Sequence, residues 1–160
     1  MGKRADALAE RVLQGARALA ALTEDLSGSE WQTVILNEGR SVGVVVHHVA
    51  SMYPAEVDLA RLLASGKPIE GVTHEAVDQI NAEHAETFAA VSQDETLDLL
   101  RRNSKAAAEA IREFSDEDLD QAAPISLNAG APLTVQYFIE DHALRHSYHH
   151  LSNIRAALNR

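Results

Sequence analysis

Four long segments with apolar residues three or four positions apart constrain this chain to a helical fold. They run from about 4 to 26, from 41 to about 64, from about 73 to 114 with a restart near 92, and from about 134 to the end. This spacing places apolar side chains on one face of an α-helix. Aromatic residues make up only 4% of the chain, which also favours helices over strands. We therefore predict an all-α four-helix bundle with long second and fourth helices.

Capping residues set the expected helix boundaries. Ser41 is a favourable N-cap for the second helix, and Pro54 inside that helix predicts a local kink rather than a break. Ser92 and Glu95 have the spacing of a capping box. The segments between the helices are predicted to be loops. We expect one domain over residues 1–160, because no repeat or shift in composition marks a boundary.

Charge and cysteine content limit the possible functions. The formal net charge of −10 repels phosphate backbones and anionic lipid, so we expect neither nucleic-acid nor membrane binding. The chain has no cysteine, which excludes thiolate metal sites and cysteine nucleophiles. No signal peptide or membrane-spanning run is recognisable, and a cytoplasmic protein is expected.

Half of the eight histidines lie in DHALRHSYHH, residues 141 to 150. At about 100° per residue, His142, His146 and His150 fall on one face of the fourth helix. Val135 and Ile139 share that face, so it should point into the bundle core. Neighbours at i and i+4 on one face can bind the same ion.

The second helix carries two more histidines, at positions 47 and 48. His48 is expected to point inward, because it shares a face with Val44, Met52, Ala55, Leu59 and Leu62. His47 lies about 100° away and is expected to point outward, toward the polar side.

Several buried imidazoles require partners for both ring nitrogens. Hydrogen bonds to carbonyl groups are one solution, and a shared metal ion is the other. One histidine from the second helix and two from the fourth would supply three neutral nitrogen donors. That set leaves a coordination position open, as in catalytic metal sites.

Two segments resemble the DinB-like (DinB/YfiT) superfamily: SVGVVVHHVASMY at 41 to 53 and HSYHHLSNI at 146 to 154. Its pattern on the fourth helix is H-x-x-H-H-x-x-Q/N-I. The resemblance implies a four-helix bundle with a divalent metal, zinc or nickel, held by His48, His146 and His150. One departure is Arg40, which stands where a tryptophan is often found before the serine.

The other polar residues near these motifs receive weaker assignments. His142 is a fourth inward histidine that could contact substrate or the metal, and His84 is expected to be a core histidine or an acid/base residue. His149 is predicted to be a surface residue or to contact a metal-binding side chain. Glu140 and Asp141 are predicted to be solvated, and no role is assigned to His74. No organic cofactor site is predicted.

The resemblance implies a metal-dependent enzyme acting on a small molecule. The first expectation is a transferase or isomerase that uses a low-molecular-weight thiol such as mycothiol, bacillithiol or glutathione. The alternatives are a metal-dependent hydrolase and a non-catalytic metal- or ligand-binding protein. A structural protein whose histidines bind carbonyl groups is a further alternative. An apolar bundle with few aromatics is also expected to form a homodimer.

Overall fold

Side-chain caps and apolar periodicity together determine where the helices begin and which faces they bury. The computed structural model describes residues 2–160. Its α-helices are α1 (Lys3–Glu24), α2 (Gly28–Trp31), α3 (Val42–Ala64), α4 (His74–Thr87), α5 (Gln93–Arg112), α6 (Asp116–Asp120), α7 (Val135–Phe138) and α8 (Arg145–Leu158). A π-helical segment, Ile139–Leu144, joins α7 to α8 and makes one long rod. This rod, α1, α3 and α5 form the four-helix bundle, as predicted.

The core lies between these four long helices. Leu8, Val12 and Leu19 of α1 face Leu100 and Ile111 of α5 and are almost fully buried. Burial of each such side chain contributes about 1.5–3 kcal/mol. None of the helices within residues 2–160 combines the length and hydropathy needed to cross a bilayer.

The second bundle helix, α3, begins where the sequence predicts. The Ser41 hydroxyl accepts a hydrogen bond from the Val44 amide at 3.2 Å, and the helix continues through Pro54. Its first nine residues, 42 to 50, are all buried. Gly43 allows this, because a Cβ atom there would lie 2.5 Å from the Trp31 ring.

The predicted inward face of α3 is only partly right, because Val44 and His48 are buried as expected but the later residues of that face are not. Met52 and Leu59 are only half-buried and Ala55 is exposed, whereas Tyr53 and Ala60 are buried. The centre of the buried face is therefore rotated by about 100° from His48. His48 lies at the edge of the bundle core rather than in its middle.

The third region differs from expectation in how α4 packs. Thr73 caps α4, but this helix contains no buried residue, and Ile80 is 56% exposed. His84 of this helix is thus half-buried on a partly covered surface face rather than in the core. Helix α5 follows Ser92, whose hydroxyl accepts from the Glu95 amide at 3.2 Å.

Two short hairpins occupy segments that were predicted to be loops. Strands β1 (Val34–Ile35) and β2 (Arg40–Ser41) are antiparallel and precede α3. Strands β3 (Ala122–Ile125) and β4 (Ala131–Thr134) are also antiparallel and precede α7. Gly39, with a φ of 67°, makes the tight turn of the first hairpin and so places Glu38 beside the last helix.

The π segment changes which residues of the last helix face the core. A π turn contains about one residue more than an α turn, so side chains before and after it are offset by about 100°. Val135 and Ile139 are buried together with Ile154, whereas His146 is only half-buried. The prediction that the late histidines occupy the middle of the core-facing stripe is wrong, because it assumed an uninterrupted α-helix.

Candidate metal centre

Three histidines from two helices converge at the edge of the bundle core. His48 of α3 and His146 and His150 of α8 each offer one ligand atom, and these atoms all lie within 4.8 Å of one another. The Nε2 atoms of His48 and His146 are 3.1 Å apart. Within residues 2–160, no other group of three or more histidine or acidic residues has such a geometry.

The ring arrangement fits a shared cation. The ring centroids are separated by 4.8 Å for His48 and His146, 5.6 Å for His48 and His150, and 4.8 Å for His146 and His150, with interplanar angles of 68° to 89°. Two nitrogens at 2.0–2.1 Å from one tetrahedral ion would be about 3.3 Å apart. The observed separation of 3.1 Å is close to that value.

Two carboxylates stand behind these rings, and sequence reasoning missed both. Glu56 Oε1 lies 3.2 Å from His146 Nδ1, and Glu38 Oε1 lies 3.3 Å from His150 Nδ1. Neither N–H points directly at its oxygen, so these are close polar contacts rather than aligned hydrogen bonds. A carboxylate on Nδ1 favours the tautomer whose Nε2 lone pair is free to bind a metal.

Burial favours the neutral form of two of the histidine donors, His48 and His150, by lowering the pKa of each. Desolvation by burial, together with nearby His146 and Arg40, lowers the pKa of His48 to about 2. Burial also lowers the pKa of His150, against the opposing effect of Glu38. Neutral imidazole is the form that binds a metal ion.

The two carboxylates have opposite electrostatic environments. Burial raises the pKa of Glu56, although His146 opposes this effect. Burial also opposes ionisation of Glu38, but contacts from His150 and Asn153 and the charge of Arg40 outweigh it and lower its pKa to about 2. Glu38 is therefore an anion held beside the histidine cluster.

Asn153 and Arg40 hold Glu38 in place. Asn153 Nδ2 donates to Glu38 Oε1 at 2.9 Å, and Arg40 Nη2 donates to Glu38 Oε2 at 2.7 Å. Asn153 occupies the Q/N position of the motif on the last helix, and the structure gives it this physical role. The sequence carries no signal for Glu38, because the contacts that position it come from α8, more than a hundred residues away.

The prediction that His47 points outward is wrong. His47 is 6% exposed, because α4 lies over this side of α3. Its Nδ1 atom lies 2.9 Å from His84 Nε2, and its ring stacks on Phe88 with centroids 4.0 Å apart. Burial lowers the pKa of both histidines, that of His84 to about 4.

His142 lies outside the converging trio. It is half-buried, its ring stacks on Phe138 at 4.4 Å, and its Nε2 atom lies 3.6 Å from Asp141 Oδ2. The π segment contains His142 and rotates it away from the α-helical position that the sequence predicted. No fourth histidine closes the cluster among residues 2–160.

Among the remaining candidates, His149 contacts the trio, because its ring centroid lies 5.1 Å from that of His150. Asp141 and Glu140 are half-buried, whereas the sequence predicts them to be solvated. Asp141 forms an ion pair with Arg145 at 2.9 Å, and Glu140 forms one with Arg11 at 2.8 Å. His149 and His74 are exposed, and His149 Nε2 lies 3.4 Å from the Asn153 amide.

The cluster can be reached from solvent. The His146 side chain is 19% exposed, whereas His48 and His150 are buried. Three imidazole nitrogen donors, two of them backed by carboxylates, form a set suited to a divalent ion with a free coordination position.

Comparison with known proteins agrees with the motifs. A family model described as the DinB superfamily matches residues 11–154. The chain belongs to the DinB superfamily. No protein of curated function matches the sequence.

A solved structure has a similar fold. YfiT from Bacillus subtilis matches at a TM-score of 0.76 and 17% identity, over 100% of this chain and 89% of YfiT. YfiT is described as "a probable metal-dependent hydrolase with an unusual four-helix bundle topology". At this identity the likeness shows that the DinB fold is shared.

Proposed function

We propose that this protein is a divalent-metal-dependent transferase or isomerase that uses a low-molecular-weight thiol as its cosubstrate. His48, His146 and His150 are the proposed ligands of zinc or nickel. One observation carries the proposal: three buried or half-buried imidazoles place their ligand atoms within 4.8 Å, on a side that solvent reaches.

The chain supplies the positioning. Glu56 orients His146, and Glu38 orients His150, so the Nε2 atoms remain turned toward one point. Asn153 holds Glu38 from α8. A metal bound there supplies Lewis acidity, which lowers the pKa of a thiol or polarises an oxygen. The chain has no cysteine, so the thiol must arrive as a cosubstrate.

Thiol chemistry is favoured because, within residues 2–160, neither carboxylate that contacts the trio is free to act as a general base. Of the carboxylates that contact the trio, Glu38 is engaged by Arg40 and Asn153, and Glu56 is buried against His146. A thiol ionised with the help of a metal requires no further general base to act as a nucleophile.

Metal-dependent hydrolysis is the second candidate. It is supported by the description of YfiT as a probable metal-dependent hydrolase, together with the common fold. The same three residues would hold the ion. The two activities differ in the attacking group, so a requirement for added thiol separates them.

The test begins with the metal content of protein purified without a nickel column. We expect about one zinc or nickel ion per chain. Thiol-dependent transfer and ester or amide hydrolysis are then measured with the metal removed and restored. Turnover that needs both metal and thiol supports the transferase, whereas turnover without thiol supports the hydrolase. Protein that binds no divalent ion would contradict both.

We further propose that the chain acts as one domain in a cytoplasmic homodimer. Leu36 and Ile80, which are 92% and 56% exposed, are apolar side chains that a second copy would cover. Light scattering coupled to gel filtration measures the mass, and a value equal to one chain would contradict the dimer.

A further inference from the structure

Tyr53 is a buried phenol on α3, the helix that carries His48. Its side chain is 1% exposed, and its hydroxyl oxygen makes no aligned hydrogen bond within residues 2–160. A hydroxyl that is removed from water without a partner is costly, so native proteins seldom keep one without a reason. The groups that surround this phenol therefore indicate what it does.

Tyr53 faces the turn of α8 that contains His146. It lies one helical turn before Glu56 on the same side of α3, and Glu56 Oε1 lies 3.2 Å from His146 Nδ1. The residue after His146 is Ser147, which is fully buried. Burial raises the pKa of the Tyr53 phenol, the charge of Glu56 raises it further, and a polar contact with Ser147 opposes both.

Ser147 can serve Tyr53 only as an acceptor. Its hydroxyl donates to the carbonyl oxygen of Leu144, the last residue of the π segment, at 3.1 Å. A serine hydroxyl has one proton to donate and two lone pairs, so its remaining capacity is to accept. In a hydrogen bond between the two side chains, the Tyr53 hydroxyl is thus the donor.

Helix α1 closes the other side of Ser147. A Cβ atom at Gly15 would overlap the Ser147 hydroxyl oxygen and lie 3.0 Å from the ring of Tyr148. Only a residue without a side chain lets α1 approach α8 this closely. Because Ser147 is 0% exposed, bulk water cannot replace a partner on α3. The Ser147 hydroxyl is therefore confined where α1, α3 and α8 meet.

We propose that Tyr53 is a positioning residue of the metal centre, which donates a hydrogen bond to Ser147 and so fixes α8 against α3. The inference rests on the proposed metal-dependent function. Tyr53 lies five residues after His48, and Ser147 directly follows His146, so this bond joins the two ligand-bearing helices beside their ligands. The donors of one ion must be held within about 0.5 Å of the binding geometry. A shift of α8 against α3 would therefore weaken metal binding.

Cobalt(II) titration of Tyr53→Phe and Ser147→Ala tests this role, because the visible absorption of bound cobalt reports the geometry of its ligands. Each variant should bind cobalt about three- to tenfold more weakly than wild type and alter that spectrum. Tyr137→Phe is the matched control, since it removes the same atom from a ring that is 45% exposed. Wild-type cobalt affinity and spectrum in Tyr53→Phe, even with a lower urea midpoint, would overturn the proposal.

The double variant Tyr53→Phe/Ser147→Ala tests whether the two hydroxyls act as a pair. A shared hydrogen bond can be lost only once, so the double variant should bind cobalt about as strongly as the weaker single variant. Losses that multiply would mean that the two hydroxyls act separately, and this would contradict the proposed bond.

Failure of the metal centre gives a different result. Folded wild-type protein without stoichiometric cobalt would contradict the ligand assignment. The ring signals of His146 in NMR spectra of metal-free protein then test Tyr53 by itself. We expect these signals to shift in Tyr53→Phe and to stay unchanged in Tyr137→Phe. Unchanged signals in Tyr53→Phe would show that Tyr53 does not position His146.

Discussion

Adjacent residues of α3 enter two histidine clusters that differ in what surrounds them. His48 joins His146 and His150, and two of these rings have a carboxylate behind them. His47 joins His84, at 2.9 Å, with Phe88 stacked on its ring, and the His84 ring also lies edge-on to His48 with centroids 5.6 Å apart. The two groups of imidazoles therefore differ in whether their nitrogen atoms converge on one point. The trio has three converging donors and acidic groups that orient them, whereas the pair has neither.

The largest expected effect separates the two clusters by metal content. His146→Ala and His150→Ala should each reduce bound metal from about one ion per chain to near zero, because two donors hold a divalent ion poorly. His47→Ala should retain the ion. Metal is measured by elemental analysis after dialysis, with folding checked by circular dichroism. Loss of metal in His47→Ala with retention in His48→Ala would reverse the assignment on α3.

The second largest effect on metal binding is expected from the carboxylate of Glu56. Glu56→Ala should weaken metal binding by about 10- to 100-fold, because His146 loses the group that orients it. Glu56→Gln should restore part of the affinity, since its amide oxygen can still accept from Nδ1. Competition with a chromophoric chelator measures both. Glu140→Gln is the control, because Glu140 pairs with Arg11. An unchanged affinity in Glu56→Ala would remove Glu56 from the site.

A smaller effect on metal affinity is expected from Asn153, which holds Glu38 in place. Asn153→Ala removes the hydrogen bond to Glu38 and should lower metal affinity by about two- to tenfold, less than Glu56→Ala. Ser152→Ala, at the exposed neighbouring position of α8, is the matched control. The same chelator competition applies. A loss as large as that of His150→Ala would instead suggest that Asn153 itself binds the ion.

The smallest effect concerns the pair. His84→Ala should leave metal content unchanged and lower the free energy of unfolding by about 1–2 kcal/mol, because His47 loses its partner. Urea denaturation measures this. His74→Ala, at the exposed start of the same helix, should change stability little. Metal loss in His84→Ala would extend the metal centre to this side of α3.

The bundle and its helix boundaries could be predicted from local signals. Ser41 and Ser92 cap the helices as expected, and the helical period of the long segments is confirmed. These features depend on neighbours a few residues apart, so one sequence contains them. The convergence of His48, His146 and His150 followed from family motifs, and their role as metal ligands stays a prediction.

Features set by distant contacts could not be predicted. His47 is buried only because α4 crosses α3, and no periodicity within α3 shows this. Glu38 reaches His150 across more than a hundred residues, through a hairpin whose strands are two residues long. Glu56 is a single acidic residue near an apolar helix face. Such a residue can be recognised as buried only once its partner, His146, is known.

The π segment has a consequence for how this site tolerates change in chain length. Deleting one residue from Ile139–Leu144 would convert it to an ordinary α turn and rotate everything before it relative to α8 by about 100°. Either Val135 would leave the interior, or His146 and His150 would turn away from His48. The number of residues in the π segment, more than their identity, thus determines the direction in which the His146 and His150 side chains point.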